Sequence, residues 1–201
     1  MSAIFGPAGS SEEFSRKFKS TVDMPEYLKS IGLDAFEYQC GQGVRVSDAL
    51  GSALKAKAEE NGITLSLHAP YFISLSGVEQ EKRDKSIDYI LQSAAAARKI
   101  GAKRIVIHSG SCSKITREEA LALAKDTLSR ARKAVVEAGY EDIIFCPETM
   151  GKFNQLGNLD EVLELCSLDD SFCRRSTSAT LTQERSERSI RERLLKKFSI
   201  R

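Results

Sequence analysis

Short apolar segments alternate with helical patterns along most of this chain. Strands are expected in five places, near residues 3–6, 34–39, 64–68, 104–108 and 143–148. The stretches between them have apolar residues at helical spacing, and several end at a glycine such as Gly62 or Gly101. Short, continuously apolar strands are typical of parallel sheets that helices cover on both faces. The alternation therefore predicts an α/β fold made of consecutive β–α units.

Five such units are compatible with an open doubly wound sheet or with most of a (β/α)8 barrel. A dinucleotide-binding sheet would carry Gly-x-Gly-x-x-Gly after its first strand. The corresponding segment here reads FGPAG, in which the glycines have the wrong spacing. A dinucleotide-binding fold therefore has little support.

Charge is distributed unevenly along the chain. Residues 173–201 contain nine Lys or Arg and three Glu, a net charge of +6, whereas the whole chain carries only +2. Residues 1–172 therefore carry −4, which argues against a uniformly basic nucleic-acid binder but not against a local basic groove. The N-terminus lacks a signal-peptide pattern, and no apolar stretch approaches the roughly 20 residues of a membrane span. We expect a cytoplasmic monomer with no membrane partner.

The chain contains two histidines, and both stand at the end of an expected strand. His68 ends TLSLH, His108 ends RIVIH, and Glu148 occupies the equivalent point after IIFCP, so that 40 residues separate each neighbouring pair. If the strands are parallel neighbours, the three side chains converge at one edge of the sheet. Two imidazoles and a carboxylate form a three-ligand zinc site with one open position. The alternative is that each histidine is a hydrogen-bonded structural residue.

Several motifs resemble those of the endonuclease IV family of xylose isomerase-like TIM barrels. They are HAPYFISLS, IVIHSGS and PETMGK at the three strand ends, together with FGPAG, EYQCGQGVRVS and MGKFNQLGNLDEV elsewhere. The resemblance covers about residues 3–171. It implies that residues 1–172 form a partial TIM barrel, with about the first five to six β–α units of the (β/α)8 fold.

The resemblance also implies a function. Family members hold three Zn²⁺ ions and cleave the DNA backbone at abasic sites in double-stranded DNA, so this chain is expected to belong to a zinc-dependent DNA-repair endonuclease. His68, His108 and Glu148 match ligands of the first zinc, with Glu148 bridging to the second. Tyr71 matches an aromatic position used against DNA, although a partly buried loop tyrosine is an equal alternative. A sugar isomerase or epimerase on the same barrel is the alternative function.

Residues 173–201 depart from the family pattern. The family's next motif is Asp-x-x-His, yet no histidine follows His108. One choice of codons from Phe172 onward, read in a shifted frame, encodes Asp-Phe-Gly-His at the expected place. We therefore interpret residues 173–201 as an out-of-frame, disordered basic tail, and expect the chain to bind at most one zinc ion and to have weak or no activity. The other interpretation is a solvated extension of the native protein.

Overall fold

Four parallel strands form one sheet in the computed structural model, which describes residues 4–172. They are β1 (Ala35–Gln39), β2 (Thr64–His68), β3 (Arg104–Ile107) and β4 (Ile144–Pro147). The strands lie side by side in chain order, and each pairs in parallel with the next. This uninterrupted order is that of a barrel wall, whereas a doubly wound sheet reverses its order at a switch point. The predicted α/β fold is confirmed, while the predictions for residues 173–201 lie outside the described residues.

Helices precede, connect and follow the four strands. They are α1 (Glu12–Lys17), α2 (Met24–Ser30), α3 (Asp48–Asn61), α4 (Gln80–Ile100), α5 (Arg117–Glu137) and α6 (Leu159–Cys166), with a 3₁₀ turn at Thr21–Asp23. Local sequence sets several of their ends. Thr116 and Glu119 form a capping box at the start of α5, and Gly101 ends α4 in the left-handed conformation. None of the helices within residues 4–172 combines the length and apolar character needed to cross a membrane.

The core lies between the sheet and its helices. Leu67, Ile105 and Phe145 are fully buried on the face that packs against the helices. Burial alternates along β3 and β4, so residues on the opposite face are only partly buried. The sequence-based expectation of strands buried on both faces is therefore wrong for this part of the chain. Polar side chains such as Glu37 and Ser66 occupy the less buried face, as the two-residue period of a strand requires.

The prediction of a first strand near residues 3–6 is wrong for residues 4–6, which the structure does not place in a strand. In place of a strand, residues 4–8 run irregularly along β1, and the Phe5 carbonyl accepts hydrogen bonds from the N–H groups of Asp34 and Ala35. The contact amounts to one isolated parallel bridge between Ala8 and Glu37. Pro7 has no N–H to donate to a ladder, which prevents regular pairing at this point.

The loop between β4 and α6, residues 149–158, is held by one partly buried ion pair, in which Glu161 is buried and Arg117 is half-buried. Arg117, at the start of α5, donates to both carboxylate oxygens of Glu161 at 2.7 and 2.8 Å, and to the carbonyls of Phe153 and Gln155 at 2.7 and 3.1 Å. Glu161 also accepts the N–H of Gly157 at 2.8 Å. A single carboxylate thus joins the loop, α5 and the first turn of α6.

Removing this carboxylate is expected to destabilise the fold. In Glu161→Ala, the Arg117 guanidinium and the Gly157 N–H lose a shared acceptor that is only 8% exposed, so the free energy of unfolding should fall by about 1–3 kcal/mol. Glu164→Ala is the matched control, because Glu164 is exposed on the same helix and pairs with Lys125 at the surface. Loss of the Lys125–Glu164 pair should lower the free energy of unfolding by less than about 1 kcal/mol. Urea unfolding of both variants measures the difference, and equal losses would contradict a structural role for the Arg117–Glu161 pair.

Candidate metal centre

Three strand ends bring the candidate ligands together. His68 is the last residue of β2, His108 directly follows β3, and Glu148 directly follows β4. Hydrogen bonds extend the parallel pairing to these ends, from the Ala69 N–H to the Val106 carbonyl and from the Glu148 N–H to the Ile107 carbonyl, both at 2.9 Å. The carboxyl ends of neighbouring parallel strands lie at one edge of the sheet, so the three side chains share that edge.

The ligand atoms of the three side chains lie within 4.8 Å of one another. One carboxylate oxygen of Glu148 is 2.9 Å from Nε2 of His108 and 3.3 Å from Nε2 of His68. The two imidazole rings meet edge to face, with centroids 5.1 Å apart. Across residues 4–172 this is the one group of three such side chains with ligand atoms so close together.

The protonation of His68 follows from its neighbours. Its Nδ1 lies 2.8 Å from the Ala69 carbonyl, which can only accept, so Nδ1 carries the proton. In the neutral ring, Nε2 then presents a lone pair toward the Glu148 carboxylate, which also presents lone pairs. A proton or a cation is needed between these atoms. A carbonyl that holds the distal nitrogen of a histidine is a common support for a metal ligand.

Electrostatics at the site favour an ionised carboxylate. Burial alone would raise the pKa of Glu148, but hydrogen bonds from His108 and His68 outweigh burial and lower that pKa to about 2. Burial opposes protonation of His68, yet its bonds to Glu148 and Ala69, with the negative charges of Glu148 and Glu37, raise its pKa above the ordinary value. The site therefore has a strong preference for positive charge between its ligands.

A divalent cation fits this donor set. Two imidazole nitrogens and one carboxylate oxygen are a ligand combination that zinc adopts with one coordination position open. The side chains are mostly buried, with 14% of His68, 21% of His108 and 17% of Glu148 exposed, so an ion would be partly shielded from water. The structure brings the three predicted residues together, and their role as metal ligands stays a prediction.

Tyr71, the fourth residue singled out from sequence, lies beside the site rather than in it. Its side chain is 64% exposed and contacts the ring of Phe72 edge to face at 5.5 Å. A pocket of about 180 Å³ lies between this aromatic pair and the loop of residues 149–158, and His108 contributes to its lining. Tyr71 is therefore more exposed than the partly buried loop tyrosine of the alternative interpretation.

Sequence reasoning missed Glu37 as a member of the electrostatic environment. Glu37 pairs in register with Ser66 on β2, and Ser66 donates a long hydrogen bond of 3.4 Å to its carboxylate. Burial raises the pKa of Glu37, and the nearby Glu148 carboxylate raises it further. The sequence did contain an indication of this role, because Glu37 is a charged residue between Phe36 and Tyr38 inside the AFEYQ strand.

A family model for the xylose isomerase-like TIM barrel matches residues 25–171. The chain therefore belongs to the xylose isomerase-like TIM barrel family. Among curated proteins, an uncharacterized protein of Methanocaldococcus jannaschii is 34% identical over 163 residues, covering 81% of this chain and 57% of that protein. A probable endonuclease 4 of Malacoplasma penetrans is 32% identical over 123 residues, covering 59% of this chain and 41% of the relative. The chain thus spans about half the length of the curated relatives it matches.

Solved structures show the same fold. Endonuclease IV from Thermus thermophilus superposes with a TM-score of 0.60 at 21% identity, covering 80% of this chain and 57% of that one. D-psicose 3-epimerase from Clostridium cellulolyticum superposes with a TM-score of 0.64 at 18% identity, covering 77% and 57%. At such identities these likenesses establish the fold alone. The resemblance to endonuclease IV inferred from the motifs is confirmed by the family match and the curated relatives.

Metal binding is expected to weaken as the pH falls. Because the pKa of His68 is raised, its Nε2 keeps a proton to a higher pH than an ordinary histidine, and an ion must displace that proton. Affinity for Co²⁺ should therefore fall about tenfold per pH unit below that pKa, starting above the ordinary value of about 6.5. Glu148, with a pKa of about 2, stays ionised throughout and adds nothing to the slope.

Absorbance titration with Co²⁺ between about pH 6 and about pH 8 measures this dependence. The control is His68→Ala, which removes both the ligand and the titrating group and should bind weakly at every pH. An affinity that does not change across this range would contradict the prediction.

Proposed function

We propose that this chain carries part of a zinc-dependent DNA-repair endonuclease of the endonuclease IV type, which hydrolyses a phosphodiester bond at abasic sites in double-stranded DNA. The observation that carries the proposal is the convergence of His68, His108 and Glu148 within 4.8 Å at the ends of three neighbouring strands. Curated relatives named probable endonuclease 4 support the assignment.

Each ligand has a distinct task in the proposed centre. His68 and His108 would hold the zinc ion through Nε2, and the Ala69 carbonyl keeps His68 in the required tautomer. Glu148 lies between the two imidazoles, where its charge would offset that of a bound ion. The chemistry that a bound divalent cation supplies at such a site is polarisation of a phosphate oxygen and activation of water.

The loops around the centre have a charge suited to a polyanion. Residues 40–47, 69–78, 109–116 and 149–158 follow the four strands and contain no Asp or Glu. They do contain Arg45, Lys114 and Lys152, and all three residues are exposed. Residues 1–172 as a whole carry −4, so positive charge is concentrated where the strands end. A phosphate backbone would be attracted to this edge of the sheet.

Tyr71 and Phe72 supply apolar surface beside the centre. Their side chains are 64% and 39% exposed, and the Phe72 ring also packs edge to face on Tyr89 with centroids 4.7 Å apart. The contact with Tyr89 of α4 holds the Phe72 side of the loop of residues 69–78 against the helix, while Tyr71 faces solvent. We assign Tyr71 to contact with DNA near the lesion, where an exposed ring can stack on an unpaired base or sugar.

A sugar isomerase or epimerase on the same barrel is the second candidate. The observation in its favour is the superposition on D-psicose 3-epimerase, together with a polar pocket beside His108. Enzymes of that class are expected to use carboxylate-rich ligands for one divalent metal, whereas two of the three converging ligands here are imidazoles. The ligand chemistry therefore favours the endonuclease.

The proposed centre accounts for one ion, while endonuclease IV enzymes are expected to use three. No histidine follows His108 in the sequence, so the imidazoles that would complete the family's ligand set are not in this chain. We propose that a shifted reading frame near residue 172 replaced them with the basic tail. A site with one ion lacks the charge needed to stabilise both the attacking and the leaving oxygen, so cleavage by this chain should be weak.

Nicking of a duplex that contains one abasic site tests the proposal. The 201-residue chain should bind about one zinc ion and nick the duplex at a rate near background, since its centre is incomplete. A chain with the shifted frame restored after residue 172 should nick the same duplex, and EDTA should abolish the activity. His108→Ala in the restored chain is the control, because it removes a zinc ligand and should return the rate to background.

Two results would each contradict a different part of this proposal. Robust, EDTA-sensitive nicking by the 201-residue chain would show that a single-ion centre suffices and that no frame shift is needed. A restored chain that binds metal, leaves the duplex intact and epimerises a ketohexose would move the assignment to the second candidate.

A further inference from the structure

Phe153 is an aromatic side chain with 93% of its surface exposed, on a loop whose backbone is fixed. Its carbonyl accepts hydrogen bonds from Arg117 at 2.7 Å and from the Cys112 thiol at 3.7 Å. The next carbonyl, of Asn154, accepts from the Cys112 N–H at 3.0 Å and from the Ser111 hydroxyl at 3.1 Å. The backbone is therefore held by hydrogen bonds at Phe153 and Asn154, while the Phe153 ring lies in water.

The loop that carries Phe153 forms one wall of the pocket beside the metal centre. Met150 and Gln155, from this loop, line the pocket on one side, and Tyr71 and Phe72 line it on the other. His108 contributes to the lining between the two walls. Exposed aromatic side chains thus stand on both loops that flank the candidate metal ligands.

Charge next to Phe153 favours an anionic partner. Lys152 precedes it and is exposed, and residues 149–158 contain no acidic side chain. A single exposed aromatic residue on a protein surface is ordinary and requires no explanation. An exposed ring beside an exposed lysine, on a fixed loop at the pocket wall, is the combination by which proteins stack on bases while contacting phosphates.

We propose that Phe153 is a DNA-binding residue that stacks on a base or sugar on the side of the metal centre opposite Tyr71 and Phe72, with Lys152 on the adjacent phosphate. The proposal rests on the proposed function, since it takes the same duplex as its partner. It adds a second aromatic contact, so that the DNA would be held by loops on both sides of the scissile bond.

The chain contains no tryptophan, and this permits a local test. Phe153→Trp introduces a single fluorophore at the proposed contact, and an abasic-site duplex should quench its emission through stacking. Ile31→Trp is the matched control. Ile31 is 51% exposed and follows α2 at the opposite edge of the sheet, so its emission should not change. Because the signal is local, DNA attraction to the basic residues 173–201 does not imitate it.

Affinity gives a second measurement. Phe153→Ala should weaken binding of a labelled abasic duplex by about 5- to 150-fold, the range that corresponds to the loss of one stacking ring. Lys152→Ala should reduce the slope of log affinity against log salt by about one, as for one lost phosphate contact. Ile31→Ala should leave affinity unchanged.

The outcomes separate this inference from the proposed function. If the duplex binds and the Phe153 variants behave like the Ile31 controls, the Phe153 contact is overturned while the endonuclease assignment stands. If the emission of the Phe153→Trp variant responds to a ketohexose and not to the duplex, the contact with DNA and the endonuclease assignment are both overturned. Quenching by the duplex together with the affinity loss in Phe153→Ala supports the contact.

Discussion

Parallel pairing of four strands in chain order is the constraint on which the rest of the structure depends. Each strand places its carboxyl end at the same edge of the sheet, so residues that are 40 positions apart in sequence become neighbours in space. The same pairing gives the sheet one face of large apolar side chains against the helices. The opposite face keeps polar residues such as Glu37 and Ser66. The negative charge of Glu37 on this face contributes to the raised pKa of His68.

The candidate centre shows how three side chains can be arranged so that a proton or a cation is needed between them. Two imidazole nitrogens point at one carboxylate oxygen at 2.9 and 3.3 Å, and the Ala69 carbonyl takes the other nitrogen of His68. These groups satisfy one another only when a proton or a metal ion lies between them. The basic loops around the centre add a long-range attraction for anions, which is one of the observations behind the proposed contact with DNA.

The loop of residues 149–158 links stability with function. The Arg117–Glu161 pair fixes its backbone, and that fixed backbone presents Phe153 to solvent and Gln155 to the pocket. A surface loop of this length is ordinarily among the more mobile parts of a domain. Here five hydrogen bonds join the loop to Arg117 of α5 and Glu161 of α6 and oppose that mobility, which is consistent with a wall that a ligand must meet in one position.

The sequence by itself determined the fold class, four of the five strands, the capping of α5 and the three side chains at strand ends, because these follow from local periodicity, capping chemistry and in-order motifs. It could not determine that residues 4–6 fail to form a strand, since the loss of regular pairing beside Pro7 depends on how that segment meets β1. Nor could it place Glu37 near His68 or the loop that carries Phe153 at the pocket wall. Those positions depend on the register between strands and on hydrogen bonds between distant loops, which only the tertiary structure decides.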